Sequence, residues 1–388
     1  MKLTLLVLVF STAAVSPVLA LENDPDRDVI SVTGLRAQPA EDITASVSVL
    51  DEAQLQLRNA PFLADSLRSV PGLGVSRSGA SGGLTQVRLR GAEANHTLVL
   101  IDGIEVSDPT TGETDFGLWS GLQATRIEVA RGEQSALYGS DAIGGVIAVT
   151  TESQGFRVAA ETGSRQTARG YLSAAQPFEG FSLGGVLSAF TTEGVDTSGG
   201  GGEEDGSNNY TGLLRGAIDL GEAWEARGLL RVARSTVETD ADTDFDGRLN
   251  DSIRETETDQ RLGGLIAEGP AFGIDHLFRA SFAEVVRENT ANGVFTDETT
   301  GERLKFSYSP SRQWKTGSLQ HHLTGLIDHE QEDYKRVDTD TLFGDSNQSQ
   351  DIETLGLAAE YQLSAGDLTV SASARHDNND GLFDDATT

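Results

Sequence analysis

The stretch Ile127–Thr151, IEVARGEQSALYGSDAIGGVIAVTT, decides how the chain is read. Ile127-Glu128-Val129-Ala130 alternates as a strand with one buried face does. Arg131-Gly132 breaks it. Ala136-Leu137-Tyr138 is a short apolar helical turn, and Gly139, free to adopt positive φ, stops it. Ser140-Asp141 is turn chemistry. Gly144-Gly145 lets the backbone pack closely as it enters a second strand, Val146–Thr150. The segment predicts a strand, a tight crossover and a strand.

The preceding residues extend this to a compact α/β unit over 46–152. Ser46–Leu50 alternates as a strand, and Asp51 caps a short helix through Leu57. Pro61 fits a first helical position; Leu63, Leu67 and Val70 share one face, and Pro71-Gly72 stops that helix. Short strands follow at Leu73–Arg77, Gln86–Arg90 and Leu98–Ile101. Asp102-Gly103 is a tight turn into Ile104-Glu105-Val106. Gly79-Ala80-Ser81-Gly82-Gly83 fits the G-x-S-x-G pattern of a nucleophile elbow. An elbow needs a helix after its serine, and a strand follows here, so the run reads as a loop without a catalytic role.

Three runs, LADSLRSVPGLGV (Leu63–Val75), QVRLRGAEANHTLVLIDGIEV (Gln86–Val106) and the Ile127–Thr151 stretch, resemble in order the plug motifs of TonB-dependent outer-membrane receptors. Glu133 stands where that family has proline. The resemblance covers Asp28–Thr151. It implies an α+β plug followed by a transmembrane antiparallel β-barrel of about twenty-two strands.

The ends and the composition agree with this. Lys2, the apolar run Leu3–Phe10 and the small residues up to Ala20 form a secretory signal over 1–20. A polar tail over 21–45 carries a β-prone patch suited to strand addition on a partner. That patch, Asp28, Val29, Ile30, Ser31 and Val32, resembles the TonB box, the motif that binds the energy-coupling protein TonB. The chain has 388 residues, no cysteine and a formal net charge of −31. Disulfides and thiolate metal sites are excluded, and the charge argues against nucleic acid. It suits cations and a cation-bridged lipopolysaccharide surface.

From 153 to 388 the pattern changes to alternating segments, about eleven of them. In Trp224–Ala233, Trp224, Ala226, Gly228, Leu230 and Val232 share an apolar face, whereas Glu225, Arg227, Leu229, Arg231 and Ala233 share the other. An apolar face outward and a charged face inward is the pattern of a large membrane barrel with a wet or plugged interior. Connections at Pro177–Gly180, Gly221-Glu222, Gly269-Pro270 and Ala365-Gly366 read as short periplasmic turns. Those at Thr191–Asn209, Thr236–Glu255, Arg287–Glu302 and Tyr334–Asp351 read as long acidic extracellular loops. The chain stops in the polar run Asp384–Thr388, without the closing aromatic strand of such barrels. An N-terminal fragment holding about half of a 22-strand barrel is therefore expected.

The expected protein is a multi-pass bacterial outer-membrane transporter and not an enzyme. It couples to TonB, contacts outer-membrane lipid and lipopolysaccharide, and requires no cofactor. Within the family, LIDGIEVSDP, YGSDAIGGVI and the acidic run 240–251 look most like the vitamin B12 (cobalamin) receptors. A ferric-siderophore receptor is the alternative, and a non-transporting surface adhesin is the rival of another class. The resemblance further implies plug–barrel contacts from Arg90, Arg131 and Arg88 to glutamates on the inner wall. Asp242, Asp244 and Asp246, with Gly247 after them, form the D-x-D-x-D-G start of a calcium loop, which Asp240 and Asp251 complete. Ile253 replaces the bidentate glutamate of an EF-hand. Glu203, Glu204 and Asp205 approach from the preceding loop. No ligand-binding residue is assigned.

Overall fold

The computed structural model describes residues 29–30, 38–39, 45–121, 124–151, 154–339, 345–366, 368–380 and 385–388. The signal region, and Asp28, Ser31 and Val32 of the tail patch, lie outside the described residues. Val29–Ile30 is a short strand paired antiparallel with Gln38–Pro39.

A five-stranded sheet forms the N-terminal unit, in the order Ser46–Asp51, Arg126–Arg131, Gly145–Thr150, Thr97–Ile101, Ile104–Glu105. Arg126–Arg131 pairs antiparallel with Gly145–Thr150, so the segment between them is a hairpin excursion and not a crossover. The parallel neighbour of Gly145–Thr150 is instead Thr97–Ile101. The excursion is a helical turn, Ser135–Tyr138, ending at Gly139 with φ 96°. Gly145 (φ 142°) lies so close to the Ala130 carbonyl that a Cβ would collide with it.

Asp51 caps the helix Glu52–Arg58, its Oδ1 accepting from Gln54 N at 2.9 Å. The second helix is shorter than expected, Leu63–Leu67 with Phe62 as N-cap, leaving Pro61 outside it. Gly79–Gly83 joins Leu73–Arg77 to Thr85–Leu89, which pair as a hairpin, so no strand-to-helix elbow forms there. Asp102-Gly103 turns with φ 47° and 83°.

A single antiparallel sheet of twelve strands follows, each pairing with the next, from Gly155–Thr162 to Ala386–Thr387. Its polar segments read as loops in the sequence but are largely paired. Strands Ile274–Ala291 and Val294–Thr316 meet at the two-residue turn Asn292-Gly293, within the span expected to be a long loop. Around 196–204 and 242–249 the connections are true loops, shorter than expected. Gly269-Pro270 lies inside the strand Asn250–Ala271, and the turn is Phe272-Gly273. Hydropathy misreads these ends because a ladder outside lipid tolerates polar residues on both faces.

The two faces divide as the alternation requires. Leu187, Leu230, Val232 and Leu265 point outward and are more than half exposed. Leu213, Leu229, Arg231 and Leu262 point inward and are buried. The inner face shares one apolar core with Leu63, Val87, Ile104, Phe116 and Trp119 of the N-terminal unit. At the short-turn end an outward aromatic group collects Trp224, His276, Phe278 and Tyr308, as at a membrane interface. No helix among the described residues is long and apolar enough to cross a membrane.

Candidate functional site: the interface between plug and wall

The N-terminal unit meets the sheet wall through charge as well as through its apolar core. Glu105, on the short strand after the Asp102-Gly103 turn, pairs with Arg303 at 2.8 Å and Lys305 at 3.1 Å. Arg303 is 4 % exposed; it also donates to the Ser107 carbonyl at 2.9 Å and reaches Glu332 at 3.4 Å. Lys305 pairs in addition with Glu330 at 2.5 Å. Burial alone pushes the Glu105 carboxyl up, but the Arg303 and Lys305 charges and the Ser107 hydroxyl hold it down at about 2. Asp108 pairs with Arg287 at 3.0 Å, and Glu52 with Arg157.

Contacts to uncharged partners continue the interface. Arg231 is 1 % exposed, donates to the Leu118 carbonyl at 2.9 Å and to Gln260, and lies 5.6 Å from the centre of the Trp119 ring. Ser120 donates to Asn209 at 2.5 Å and accepts at its carbonyl from Ser188 at 2.9 Å. Gly264 leaves room for Ile104, which a Cβ would strike.

The three arginines of the expected contacts have these partners among the described residues. Arg88 donates to Ser76 and Gln86, and Arg131 to the Pro71 carbonyl, all within the N-terminal unit. Arg90 packs beside Gly132, where a Cβ would lie 2.8 Å from its Nη1. Among the described residues none of the three pairs with a wall glutamate. The ion pairs that cross the interface among the described residues have carboxylates on the unit and bases on the wall. Glu105 and Asp108 were missed in the sequence because their partners lie 200 and 179 residues away. The signal available was a pair of acids in a segment otherwise destined for burial.

The acidic residues of the outer loops gather into two groups rather than one shell. Carboxylate oxygens of Asp242, Asp244 and Asp246 lie within 4.8 Å of one another, as do those of Glu203, Asp240 and Asp251. Gly247 (φ 86°) makes the turn, and its N–H donates to Asp242 at 2.9 Å. A hydrogen bond to Asp251 raises the pKa of Glu203. Asp205 instead accepts from Thr197. All-oxygen donors at this spacing suit a hard divalent ion such as calcium.

Residues 39–146 match the TonB-dependent Receptor Plug Domain family. The plug, and the antiparallel wall that holds it, place the chain among the TonB-dependent outer-membrane receptors. Within that class it is similar to the vitamin B12 transporter BtuB. It is 39% identical to BtuB of Vibrio vulnificus over 125 residues, 32% of this chain and 20% of that protein. It is 28% identical to BtuB of Photobacterium profundum over 317 residues, 79% of this chain and 50% of that one. The chain thus spans at most about half the length of these relatives. By fold it resembles the siderophore receptor PirA of Acinetobacter baumannii, with TM-score 0.70, 17% identity and coverage of 88% of this chain and 57% of that one. The ferric preacinetobactin receptor BauA of the same organism gives 0.72, 12% identity and coverage of 93% and 63%.

Proposed function

We propose that the receptor carries cobalamin inward across the outer membrane, driven by TonB acting on the Asp28–Val32 segment. The observation that carries this reading is the similarity to vitamin B12 transporters, which extends past the plug along most of the chain. Ligand binds between the outer loops and the plug, and TonB pairs with the tail from the periplasm. Outer-membrane lipid meets the outward apolar face, and lipopolysaccharide the acidic outer loops. The residues do no covalent chemistry in this scheme. A second reading, a ferric-siderophore receptor, is favoured by the solved structures of similar fold. Competition binding on intact cells separates the two: cyanocobalamin is expected to displace labelled cobalamin at nanomolar concentration, and a panel of ferric siderophores is not. Displacement by a siderophore alone replaces the first reading with the second. Deleting residues 28–33 separates both from an adhesin, which keeps its function without the tail.

Calcium is proposed to bind the two loop carboxylate groups and to order the outer rim for ligand. Asp242, Asp244 and Asp246 would hold one ion, and Glu203, Asp240 and Asp251 a second; the ion would supply the charge that lets the carboxylates approach. Chelation is expected to weaken ligand binding at least tenfold, with calcium restoring it. Asp244→Ala with Asp246→Ala is expected to weaken it without rescue. Calorimetry showing no calcium uptake up to millimolar levels, where even weak extracellular sites fill, removes the proposal.

A further inference from the structure

The outward side of the sheet is not evenly filled. Two adjoining apolar grooves, of about 840 and 460 Å³, lie on it and share Gly216, Gly228, Leu265 and Ala280. Three ladder rows build them. Ala226, Ala267 and Phe278 stand opposite one another in the lowest row. Gly228, Leu265 and Ala280 form the next, and Leu230, Gly263 and Phe282 the third. Phe181, Ile218, Phe278 and Phe306 wall the lower groove, each close to half exposed. At the upper end Phe282 lies over Gly263, where a Cβ would stand 2.8 Å from the ring. At the lower end is the aromatic group, in which Trp224 donates to the Pro270 carbonyl and His276 meets the Tyr308 hydroxyl at 2.8 Å.

The depth of the groove selects its occupant. Leu230 follows Trp224 by six residues on the same face. That is about 20 Å along the strand at roughly 3.3 Å per residue, or about 15 Å of depth at a tilt of roughly 40°. The hydrocarbon core is about 30 Å thick. The groove therefore runs from headgroup level to the mid-plane, the depth of one leaflet. A partner's transmembrane helix needs the full thickness, and the row of Leu230, Phe282 and Leu304 stands in its path. We propose that the groove seats one acyl chain of a phospholipid in the periplasmic leaflet, with its ester and phosphate groups beside Trp224, His276 and Tyr308. Where the solvent is itself hydrocarbon, apolar surfaces gain nothing from mutual burial, so retention comes from fit. A concave apolar lining puts more atoms around a chain than the convex face beside it, and each contact adds dispersion energy.

The proposal rests on the reading that the outward face meets lipid, and photolabelling tests the two separately. The complete receptor is placed in bilayers of phosphatidylethanolamine and phosphatidylglycerol, with a trace of phospholipid carrying a diazirine midway along one acyl chain. Leu357 is the reference, an exposed outward leucine in the same ladder row as Phe278. After irradiation, label on Leu265 is expected at least fivefold above label on Leu357. Ala280 stands opposite Leu265, so Ala280→Trp fills the groove from the lipid side and is expected to bring the two within twofold. Equal labelling in the wild type, or enrichment that survives in the variant, overturns the seat and leaves the lipid-facing reading in place. Label on neither leucine overturns both. A receptor dimer in sedimentation that Ala280→Trp dissociates gives the groove to a second copy and also overturns the proposal.

Discussion

Ile30→Pro is expected to reduce uptake to the level of a strain without TonB while surface binding of ligand stays unchanged. Strand addition uses the backbone, and proline removes a donor and fixes φ. Ile30 already adopts a paired extended conformation opposite Gln38, so the segment has the geometry a partner strand needs. Side-chain changes that keep the backbone, such as Ile30→Thr, are expected to retain most of the uptake. Normal uptake by the proline variant, or equal loss in the threonine variant, would remove the assignment of this segment to TonB.

The second large effect is expected from Glu105→Ala. It takes the shared carboxylate from buried Arg303 and half-buried Lys305, leaving them Glu332 and Glu330 on the wall; removing one partner of a fully buried pair costs about 3–5 kcal/mol, and these remaining carboxylates reduce the loss. The plug should melt at lower temperature in detergent, and cells should admit large antibiotics that the wild type excludes. Adding Arg303→Met is expected to recover part of the loss, because the second change removes the stranded charge. The same pair sets a pH dependence. The folded carboxyl titrates at about 2, below its ordinary 4.5. Its contribution is therefore full above about pH 4.5 and is lost as pH falls toward 2. Equal acid sensitivity in wild type and Glu105→Ala would show that the pair does not control seating.

The plug was legible because its signals are local. Asp102-Gly103, the Asp51 cap and Gly139 each dictate a backbone conformation within a few residues, and the structure has all three. The direction of pairing after Gly132 was not legible, since a hairpin and a crossover begin with the same breaker. The inward face of Trp224–Ala233 followed from alternation, but that Arg231 would lie against Trp119 did not, because they are brought together only by docking. The acidic spacing at Asp242, Asp244 and Asp246 predicted their convergence. Asp240 and Asp251 joined Glu203 instead, since strand pairing and not sequence distance decides which loops meet.

The turn at Asn292-Gly293 closes two strands of 18 and 23 residues. A tilted strand crosses the hydrocarbon core in about 9–11 residues. Roughly half of this hairpin therefore stands clear of the bilayer, at about 3.3 Å per residue. What projects there is a stiff ribbon, with neighbouring side chains held in register. Such a ribbon can change its face residue by residue without changing its shape, so its surface chemistry can vary without disturbing the strands beneath it.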